Sequence, residues 1–582
     1  MPLTRRQFLI GAATVGAAGA AAGCTPDWMA GLDETRTPDW MAGLDETPTP
    51  SANPSYSTGP IIWTPTPPAA LSKMAAAASP VALALVRMTF GPRPGDVERV
   101  EQMGLDKYID EQLHPESIDD SALDKMLESF PSLTMSLEAL FENYPQPRPQ
   151  PRPTPNPTPA PNATPVPQPT EPPRAQRPQG PQQIVAELQE ATLLRALYGR
   201  RQLYEMMVDF WTNHFNIYIA KDNVKWMKTV DDREVMRKHA LGKFKDLLLA
   251  SAQSPAMLEY LDNRISIKGK PNENYAREVM ELHTLGVDGG YTYPDIQNVA
   301  RAFTGWTVIE NRFNPTASAG YIFNARMHDD DEKTVLGVKI PRGGGEKDGQ
   351  RVIEILANHP STAKFLATKL VRRFVSDTPP DALVQRVAAA YQKTGGDIRE
   401  MMSVILRSDE FKKSYGQKVR RPFEFLVSVL RALDVQVNPQ DAEILRGAIT
   451  QLGQPLFQWP TPDGYPDVYG AWINTNGMLN RWNLALNLLQ PGPRGVKADT
   501  RGPTTQANLK TAADAVDFWI SRLIHRPMSD GDRAQLITYL GGSNPSQPPI
   551  TVGGQPLTEP ILRDKLPNLV ALVLSSPDYQ YR

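Results

Sequence analysis

The chain contains almost no cysteine, because Cys24 is the only one among 582 residues. A lone cysteine cannot form an intramolecular disulfide, so packing alone must stabilise the fold. Beyond Cys24 no thiol remains to act as a nucleophile, and no G-x-S-x-G motif supplies a serine elbow in its place. Two common routes to covalent hydrolysis are therefore not indicated by this sequence.

The chain also lacks an excess of charge, with 62 Lys and Arg against 64 Asp and Glu. This balance gives no electrostatic reason to expect nucleic acid or an anionic membrane surface as a partner. The glycines Gly343–Gly345 are not followed by Lys and then Ser or Thr, so they do not form a phosphate-binding loop.

Long hydrophobic runs are missing too. The Ala/Gly-rich run Ile10–Ala22 is too short to span a bilayer, and no other segment reaches the about 20 apolar residues that a span requires. It follows Thr4-Arg5-Arg6-Gln7-Phe8-Leu9, which has the pattern of a twin-arginine (Tat) signal. We therefore expect residues 1–24 to be a signal peptide and the protein to be exported by the Tat pathway.

The run ends in Ala21-Ala22-Gly23-Cys24, the pattern of a lipoprotein cleavage site. Lipidation of Cys24 would anchor the protein to the membrane at the cell envelope or surface without a spanning helix. The alternative is an ordinary signal peptide with an incidental cysteine. The position of the sole cysteine favours lipidation.

Residues 25–74 contain a tandem duplication, because TPDWMAGLDET at Thr25–Thr35 recurs unchanged at Thr37–Thr47. Two short copies cannot build a solenoid, and the following Pro/Ser/Thr-rich run favours a flexible tether. Docking of a partner by Trp28 and Trp40 is the alternative interpretation.

Proline is abundant, with 56 residues, and much of it lies in the segment 144–183. Proline at nearly every second or third position cannot form a helix or a central strand, so this segment should be polyproline II or disordered. We interpret it as a solvated spacer inserted within a single domain that covers 75–582. A ligand of PxxP type is the alternative.

Most of that domain has helical periodicity, beginning with Ser79-Pro80 as an N-cap with proline in the first turn. The central stretch Asn272–Trp306 predicts two buried helices around Gly286, with Thr292 and Asp295 as a capping box. Only Arg312–Arg342 predicts a small antiparallel excursion. The expected fold class is all-α, one large domain with a minor β element.

Several segments together resemble a known family. They are the central stretch Asn272–Trp306, PRPGDVERV near Gly95, FWTNHFN at Phe210, HPSTAKFLATKLVRRFVSDTPP at His359, GDIREMMSVILRSDEF at Gly396 and GQPLFQWPTPDGYP at Gly453. In this order, over Ala75–Arg582, they resemble the bacterial family catalogued as domain of unknown function 1800. The resemblance implies an exported, mostly helical protein without an established activity. It also implies an exported partner from domain of unknown function 1501, a family often encoded beside it.

Candidate catalytic residues lie on two predicted helices. Asn274, Glu278 and Glu281 share a stripe, and Glu278 falls within the edge of the apolar face, where a buried carboxylate would serve as an acid, a base or a metal ligand. His214 lies in the middle of another apolar face. If the two faces meet, Glu278 and His214 form an acid/base pair. The alternative is a structural Glu278 paired with an arginine and a neutral His214 bound to a backbone carbonyl.

Two further sets of residues are candidates for binding. His328 and Asp329 open an acidic turn with hard oxygen ligands, which would suit a divalent metal, although a solvated turn is the simpler interpretation. Trp459, Tyr465 and Trp472 crowd a proline-rich loop, where aromatic rings would stack on a sugar or a peptide, or would pin the coil to the core.

These residues support two classes of function. The first is an envelope-tethered enzyme with metal-assisted, hydrolytic chemistry at His214 and the stripe of Glu278. The second is a non-catalytic surface protein that binds a glycan or an exported partner through the aromatic loop.

Overall fold

The computed structural model describes residues 79–146, 180–309, 319–490, 496–541 and 556–582. The predictions for Cys24, the tether and most of the proline-rich insertion concern residues outside these ranges. Within them the protein is built from α-helices with two small two-stranded sheets, so the predicted fold class is confirmed.

The first helices follow from strong local signals. The hydroxyl of Ser79 accepts from the backbone N–H groups of Val81 and Ala82, and Pro80 occupies the first helical position, as predicted. This group is α1 (Pro80–Met88), α2 (Asp96–Met103), α3 (Leu105–Leu113), α4 (Ser121–Leu127) and α5 (Leu137–Asn143), with 3-10 turns Pro115–Ser117 and Pro131–Leu133.

Both ends of the segment predicted as a proline-rich insertion lie within the described ranges. Tyr144 is only 1% exposed, and its carbonyl accepts from the indole of Trp226 over 2.9 Å. At the other end, Pro181 is buried as the first residue of a helix. The predicted bounds 144–183 therefore include residues at both ends that belong to the packed domain.

The middle of the chain supplies the helices around the later site. They are α6 (Pro181–Tyr198), α7 (Gln202–His214), α8 (Val224–Asp231), α9 (Phe244–Ala252), α10 (Pro255–Tyr260), α11 (Glu273–Glu278) and α12 (Tyr293–Ala302). A π turn, Asp232–Arg237, continues α8, and a 3-10 turn, Asn263–Ile265, follows α10.

The central hairpin differs from an ideal pair of α-helices. After α11 the chain continues as a π turn, Val279–Thr284, in which the N–H of Leu285 donates to the carbonyl of Met280 over 2.8 Å. Gly286 has a φ of +82°, which suits its role as the stop. The capping box of Thr292 and Asp295 is present. However, α12 ends at Ala302, so Trp306 lies in a strand rather than on the helix face.

The β excursion consists of two separate antiparallel pairs. They are β1 (Trp306–Ile309) with β2 (Gly320–Phe323), and β3 (Lys333–Val335) with β4 (Val338–Ile340). In the first pair Trp306 lies opposite Phe323, and in the second Val335 lies opposite Val338.

The remaining helices complete the domain. They are α13 (Glu346–Ala357), α14 (Pro360–Phe374), α15 (Asp381–Thr394), α16 (Ile398–Arg407), α17 (Asp409–Lys412), α18 (Pro422–Ala432), α19 (Ala442–Gln451), α20 (Thr475–Leu489), α21 (Arg501–Gln506), α22 (Ala512–Ile524), α23 (Asp530–Gly541), α24 (Leu566–Ser575) and α25 (Pro577–Gln580). Shorter turns are the 3-10 segments Pro439–Asp441 and Tyr469–Ala471 and the π turn Ile561–Lys565. None of the described helices combines the length and apolarity needed to cross a membrane.

Candidate functional site

His214 occupies the end of α7, where its imidazole is only 1% exposed. Its Nε2 lies 3.0 Å from the backbone carbonyl oxygen of His283, and its Nδ1 lies 2.9 Å from Nζ of Lys369. Because a carbonyl only accepts, Nε2 must carry the hydrogen, and Nδ1 then accepts from the Lys369 ammonium. Burial, followed by the charge of Lys369, holds the pKa of His214 well below its usual range, so the ring is neutral.

Lys369 lies on α14 and is half-buried. Burial lowers the pKa of its amine to about 8, and the charge of Arg372 acts in the same direction, although Asp467 and Asp463 oppose both. Lys369 and His214 both line a cavity of 280 Å³. The charged residues around the cavity are Lys369, Arg372, Arg373, Arg421, Asp463 and Asp467.

Arg373 and Arg421 belong to a buried network of ion pairs beside the cavity. Arg373 and Arg421 both pair with Asp209 and with Glu424, and Arg582 also contacts Glu424 over 3.0 Å. Burial alone would raise the pKa of Glu424, but the three guanidinium groups hold it well below its usual range. The carboxylates therefore neutralise Arg373 and Arg421 and fix their positions.

Asp467 also forms an internal ion pair. Its carboxylate lies 3.1 Å from Nζ of Lys418, which also pairs with Asp377. Burial alone would raise the pKa of Asp467, but the charges of Lys418, Arg373 and Arg421 lower it strongly. Arg372 has a different partner, because its Nε donates to the backbone carbonyl of Asp377 over 3.4 Å rather than to a carboxylate. Within the described residues, Lys369 and Arg372 are therefore the two cations of the cavity that form no ion pair with a carboxylate.

The cavity wall formed by residues 463–468 is held by two asparagines at the end of α7. The amide of Asn213 donates to the carbonyl of Tyr465 over 2.9 Å and accepts from its N–H over 2.8 Å. Asn216 donates to the carbonyls of Trp459 and Thr461. Gly464 has a φ of +74°, and a Cβ there would lie 2.2 Å from the carbonyl oxygen of Asn213. The loop therefore needs glycine at this point.

The predicted stripe of Asn274, Glu278 and Glu281 lies on the central hairpin. Glu278 is buried. The pKa of Tyr260 is raised, first by the burial of that tyrosine and then by the nearby carboxylate of Glu278. Asn274 is exposed, and its amide donates to the carbonyl of Leu261 over 3.4 Å. Glu281 is half-buried. The pKa of Tyr291 is raised mainly by the burial of that tyrosine and next by the charge of Glu281.

His214 lies next to His283 of this hairpin. The π turn brings the ring of His283 to 6.0 Å from the His214 ring, centroid to centroid. The two ring nitrogens of His214 are engaged by the carbonyl of His283 and by Nζ of Lys369. His283 is fully buried, which lowers its pKa to about 3, and its ring nitrogens have no hydrogen-bond partner among the described residues.

The candidate metal ligands His328 and Asp329 belong to an ion-pair network. Arg301 donates to both carboxylate oxygens of Asp329, over 2.9 and 3.2 Å. Nδ1 of His328 lies 2.8 Å from the carbonyl oxygen of Thr304, and its Nε2 lies 3.3 Å from Asp348. Across the described ranges no three His, Cys, Asp or Glu side chains converge on a common point suited to a metal ion.

The aromatic residues of the loop pack on one another. The Tyr465 ring lies 4.8 Å from that of Trp459 and 5.9 Å from that of Trp472. Tyr465 and Trp472 are each 8% exposed and donate to the carbonyls of Pro455 and Pro466, whereas Trp459 is half-buried. Tyr465 and Trp472 therefore pin the coil, and Trp459 retains an accessible surface.

The sequence analysis did not select Lys369, Arg372 or His283. A signal for the first two was present, because they stand three residues apart in KLVRR, within a segment that carries the family resemblance. An α-helical pattern does not indicate His283, because this residue lies on a π turn.

The fold and site define a mostly helical protein with a cationic cavity at the junction of α7, α14 and the loop before α20. The family model described as a protein of unknown function (DUF1800) matches residues 83–581, and the chain belongs to this family. No curated protein and no solved structure matches the chain.

Proposed function

We propose that this protein is an exported, membrane-tethered enzyme of the cell envelope that binds a small anionic substrate in the Lys369 cavity. The observation that supports it is the contact of 2.9 Å between Nζ of Lys369 and Nδ1 of His214 beside Arg372. This arrangement combines a positive charge for binding with two groups that exchange a proton.

The charge of the cavity favours an anion. Glu424 and Asp209 already compensate Arg373 and Arg421, while Lys369 and Arg372 project from one face of α14 without an ion pair in the described chain. A carboxylate or phosphate group would supply the missing negative charge, and Arg372 could bind it through two parallel hydrogen bonds. The volume of 280 Å³ suits a ligand at the small end of the usual range.

The same pair suits acid/base chemistry. With a pKa of about 8, the amine of Lys369 is partly uncharged near neutral pH, and neutral His214 presents a lone pair to it. Proton transfer through Lys369 is therefore the chemistry we propose.

The proposed location follows from the leader. The twin-arginine pattern at Arg5-Arg6 supports export, and Cys24 supports lipid anchoring. An exported protein of the family domain of unknown function 1501 is the proposed partner, on the resemblance described above.

Thermal unfolding of the full-length protein with added phosphate, acetate or pyruvate tests the proposed site. A bound anion should raise the melting temperature in a concentration-dependent way. Lys369→Met and Arg372→Met should each abolish the effect, whereas Lys364→Met, at an exposed position on the same helix, should preserve it. An equal response in all variants would contradict anion binding in this cavity.

The same measurement separates the competing class of function. If an oligosaccharide stabilises the protein and Trp459→Ala, rather than Lys369→Met, removes that stabilisation, the chain is a glycan-binding protein. The half-buried ring of Trp459 is the feature that would carry such binding.

A further inference from the structure

We propose that Lys369 is a nucleophilic amine that forms an imine with a small aldehyde or ketone bearing a carboxylate or phosphate group. This inference rests on the proposed anion-binding function and adds the class of substrate. It depends on the position of Nζ in the cavity, on its hydrogen-bond partner and on the neighbouring Arg372.

Lys369 differs from the fully buried lysines of the described chain. Lys228 pairs with Asp231 over 2.5 Å, Lys333 pairs with Asp348 over 2.6 Å, and Lys418 pairs with Asp377 and Asp467. Each therefore has a carboxylate of the chain within ion-pair distance.

Lys369 instead donates to a neutral imidazole, and no carboxylate of the described chain forms an ion pair with it. Loss of its proton therefore breaks no internal ion pair. Burial lowers the pKa of this amine to about 8, so the uncharged fraction at neutral pH is on the order of 100-fold larger than for an ordinary lysine.

His214 and one water molecule account for each proton in the step. The uncharged Nζ attacks the carbonyl carbon, a C–N bond forms, and the electrons of the carbonyl π bond move to oxygen, which takes a proton from a water molecule and leaves hydroxide. Nδ1 of His214 accepts one of the two protons on Nζ, because it already faces Nζ at 2.9 Å. His214 returns this proton to the hydroxyl group, the C–O bond breaks, and water leaves while the nitrogen lone pair forms the C=N bond. The hydroxide then takes the remaining proton of the iminium nitrogen, so the net products are the neutral imine and one water molecule. No oxidant or reductant is needed.

Arg372 selects the substrate. It lies three residues after Lys369 on α14, so the two side chains emerge from the same face of the helix and both line the cavity. A carbonyl carbon at Nζ would leave an adjacent carboxylate or phosphate within reach of the guanidinium group. Simple neutral aldehydes lack this second contact, and the cavity should discriminate against them.

Reductive trapping tests the inference on the full-length protein. Glyoxylate, an anionic aldehyde, is added at pH 7 with sodium cyanoborohydride, which delivers hydride to the imine and leaves a stable carboxymethyl group on the lysine. Peptide mapping by mass spectrometry then compares Lys369 with Lys364, which is exposed on the same helix. We expect Lys369 to be modified about tenfold faster, because its larger uncharged fraction outweighs its lower basicity.

Two controls give the inference its sharpest form. Acetaldehyde, which carries no charge, should lose most of the preference for Lys369. Arg372→Met should lower trapping by glyoxylate more than trapping by acetaldehyde, because loss of the guanidinium charge raises the pKa of Lys369 for both aldehydes but removes the second contact for glyoxylate alone. The rate at Lys369 should rise with pH and level off above about 8. The titratable and charged groups around Lys369 in this profile are His214, His283, Arg372, Asp463 and Asp467.

The outcomes separate this inference from the proposed function. One outcome is that anions stabilise the wild type but not Lys369→Met, while glyoxylate modifies Lys369 no faster than Lys364. The cavity then binds anions, and the inference that Lys369 forms an imine is wrong. If anions do not stabilise the protein and glyoxylate shows no preference for Lys369, both proposals are wrong. Preferential trapping at Lys369 that requires Arg372 supports both.

Discussion

The side-chain amide of Asn213 pairs with the backbone of Tyr465 in both directions, donating over 2.9 Å and accepting over 2.8 Å. The two residues are 252 positions apart and join the end of α7 to a loop without regular secondary structure. An amide is the side chain that can do this, because it offers a donor and an acceptor side by side. The wall of the Lys369 cavity therefore depends on the identity of Asn213.

Asn213→Asp should loosen this loop. The substitution keeps one acceptor oxygen but replaces the donor by a second oxygen, which would face the carbonyl of Tyr465. We expect a loss of about 1–3 kcal/mol in the free energy of unfolding and faster amide hydrogen exchange in residues 459–467. Asn480→Asp is the matched control, since the amide of Asn480 makes an exposed contact with the carbonyl of Gln451. Equal destabilisation by both variants would mean that the paired contact has no special role.

Local patterns were enough to predict much of the fold. The capping box of Thr292, the proline at Pro80 and the stop at Gly286 are short-range features, and each is present. The end of α12 was misplaced, because Trp306 continues the helical spacing but pairs with Phe323 in a sheet. Such pairing depends on distant residues, which periodicity within one segment cannot reveal.

Glu424→Gln should destabilise the protein strongly. Glu424 is 1% exposed and pairs with Arg373, Arg421 and Arg582. Neutralising it takes the paired carboxylate from Arg582 and leaves Arg373 and Arg421 to share Asp209. We expect a loss of about 3–5 kcal/mol in the free energy of unfolding at pH 7, measured by denaturant titration. Glu443→Gln removes an exposed partner of Arg446 and should change little.

The pH dependence of that loss provides a second check. The pKa of Glu424 is lower in the folded protein than the value of about 4.3 in the unfolded chain. Its contribution to stability is therefore fully present above about pH 4.3 and is lost as the pH falls toward the folded value. The gap between wild type and Glu424→Gln should narrow on acidification. A gap that stays constant from pH 7 to pH 3 would show that charge is not the cause.

The site was less predictable than the fold. His214 was selected correctly as a buried residue, and its contact with the carbonyl of His283 matches the structural alternative stated for it. Its contact with Lys369 was not foreseen, because α7 and α14 are separated by 155 positions between the two residues. The ion network that neutralises Arg373 but leaves Arg372 without a carboxylate is also a tertiary property. One-dimensional spacing puts both arginines near the same face and cannot distinguish them.

Cys24→Ala should release the protein from the membrane. If Cys24 is lipidated after export, the wild type partitions into the detergent phase and the variant appears in the soluble exported fraction. A separate variant, in which Arg5 and Arg6 are both replaced by Lys, should keep the precursor inside the cell, which distinguishes failed export from failed anchoring. Detergent partitioning that is the same with and without Cys24 would contradict the lipoprotein proposal.

Lys369→Met should change how stability depends on pH. The pKa of Lys369 is about 8 in the folded protein and about 10.4 in an unfolded chain, so between these values the unfolded state holds more protons. Stability of the wild type therefore rises with pH across this window, whereas the variant lacks this contribution. Because the side chain is only half-buried, we expect the wild type to gain about 1–2 kcal/mol relative to Lys369→Met between pH 7 and pH 10.5. Denaturant titrations at both pH values measure this difference. A constant difference would mean that Lys369 titrates like a surface lysine, which would remove the electrostatic basis for its proposed chemistry.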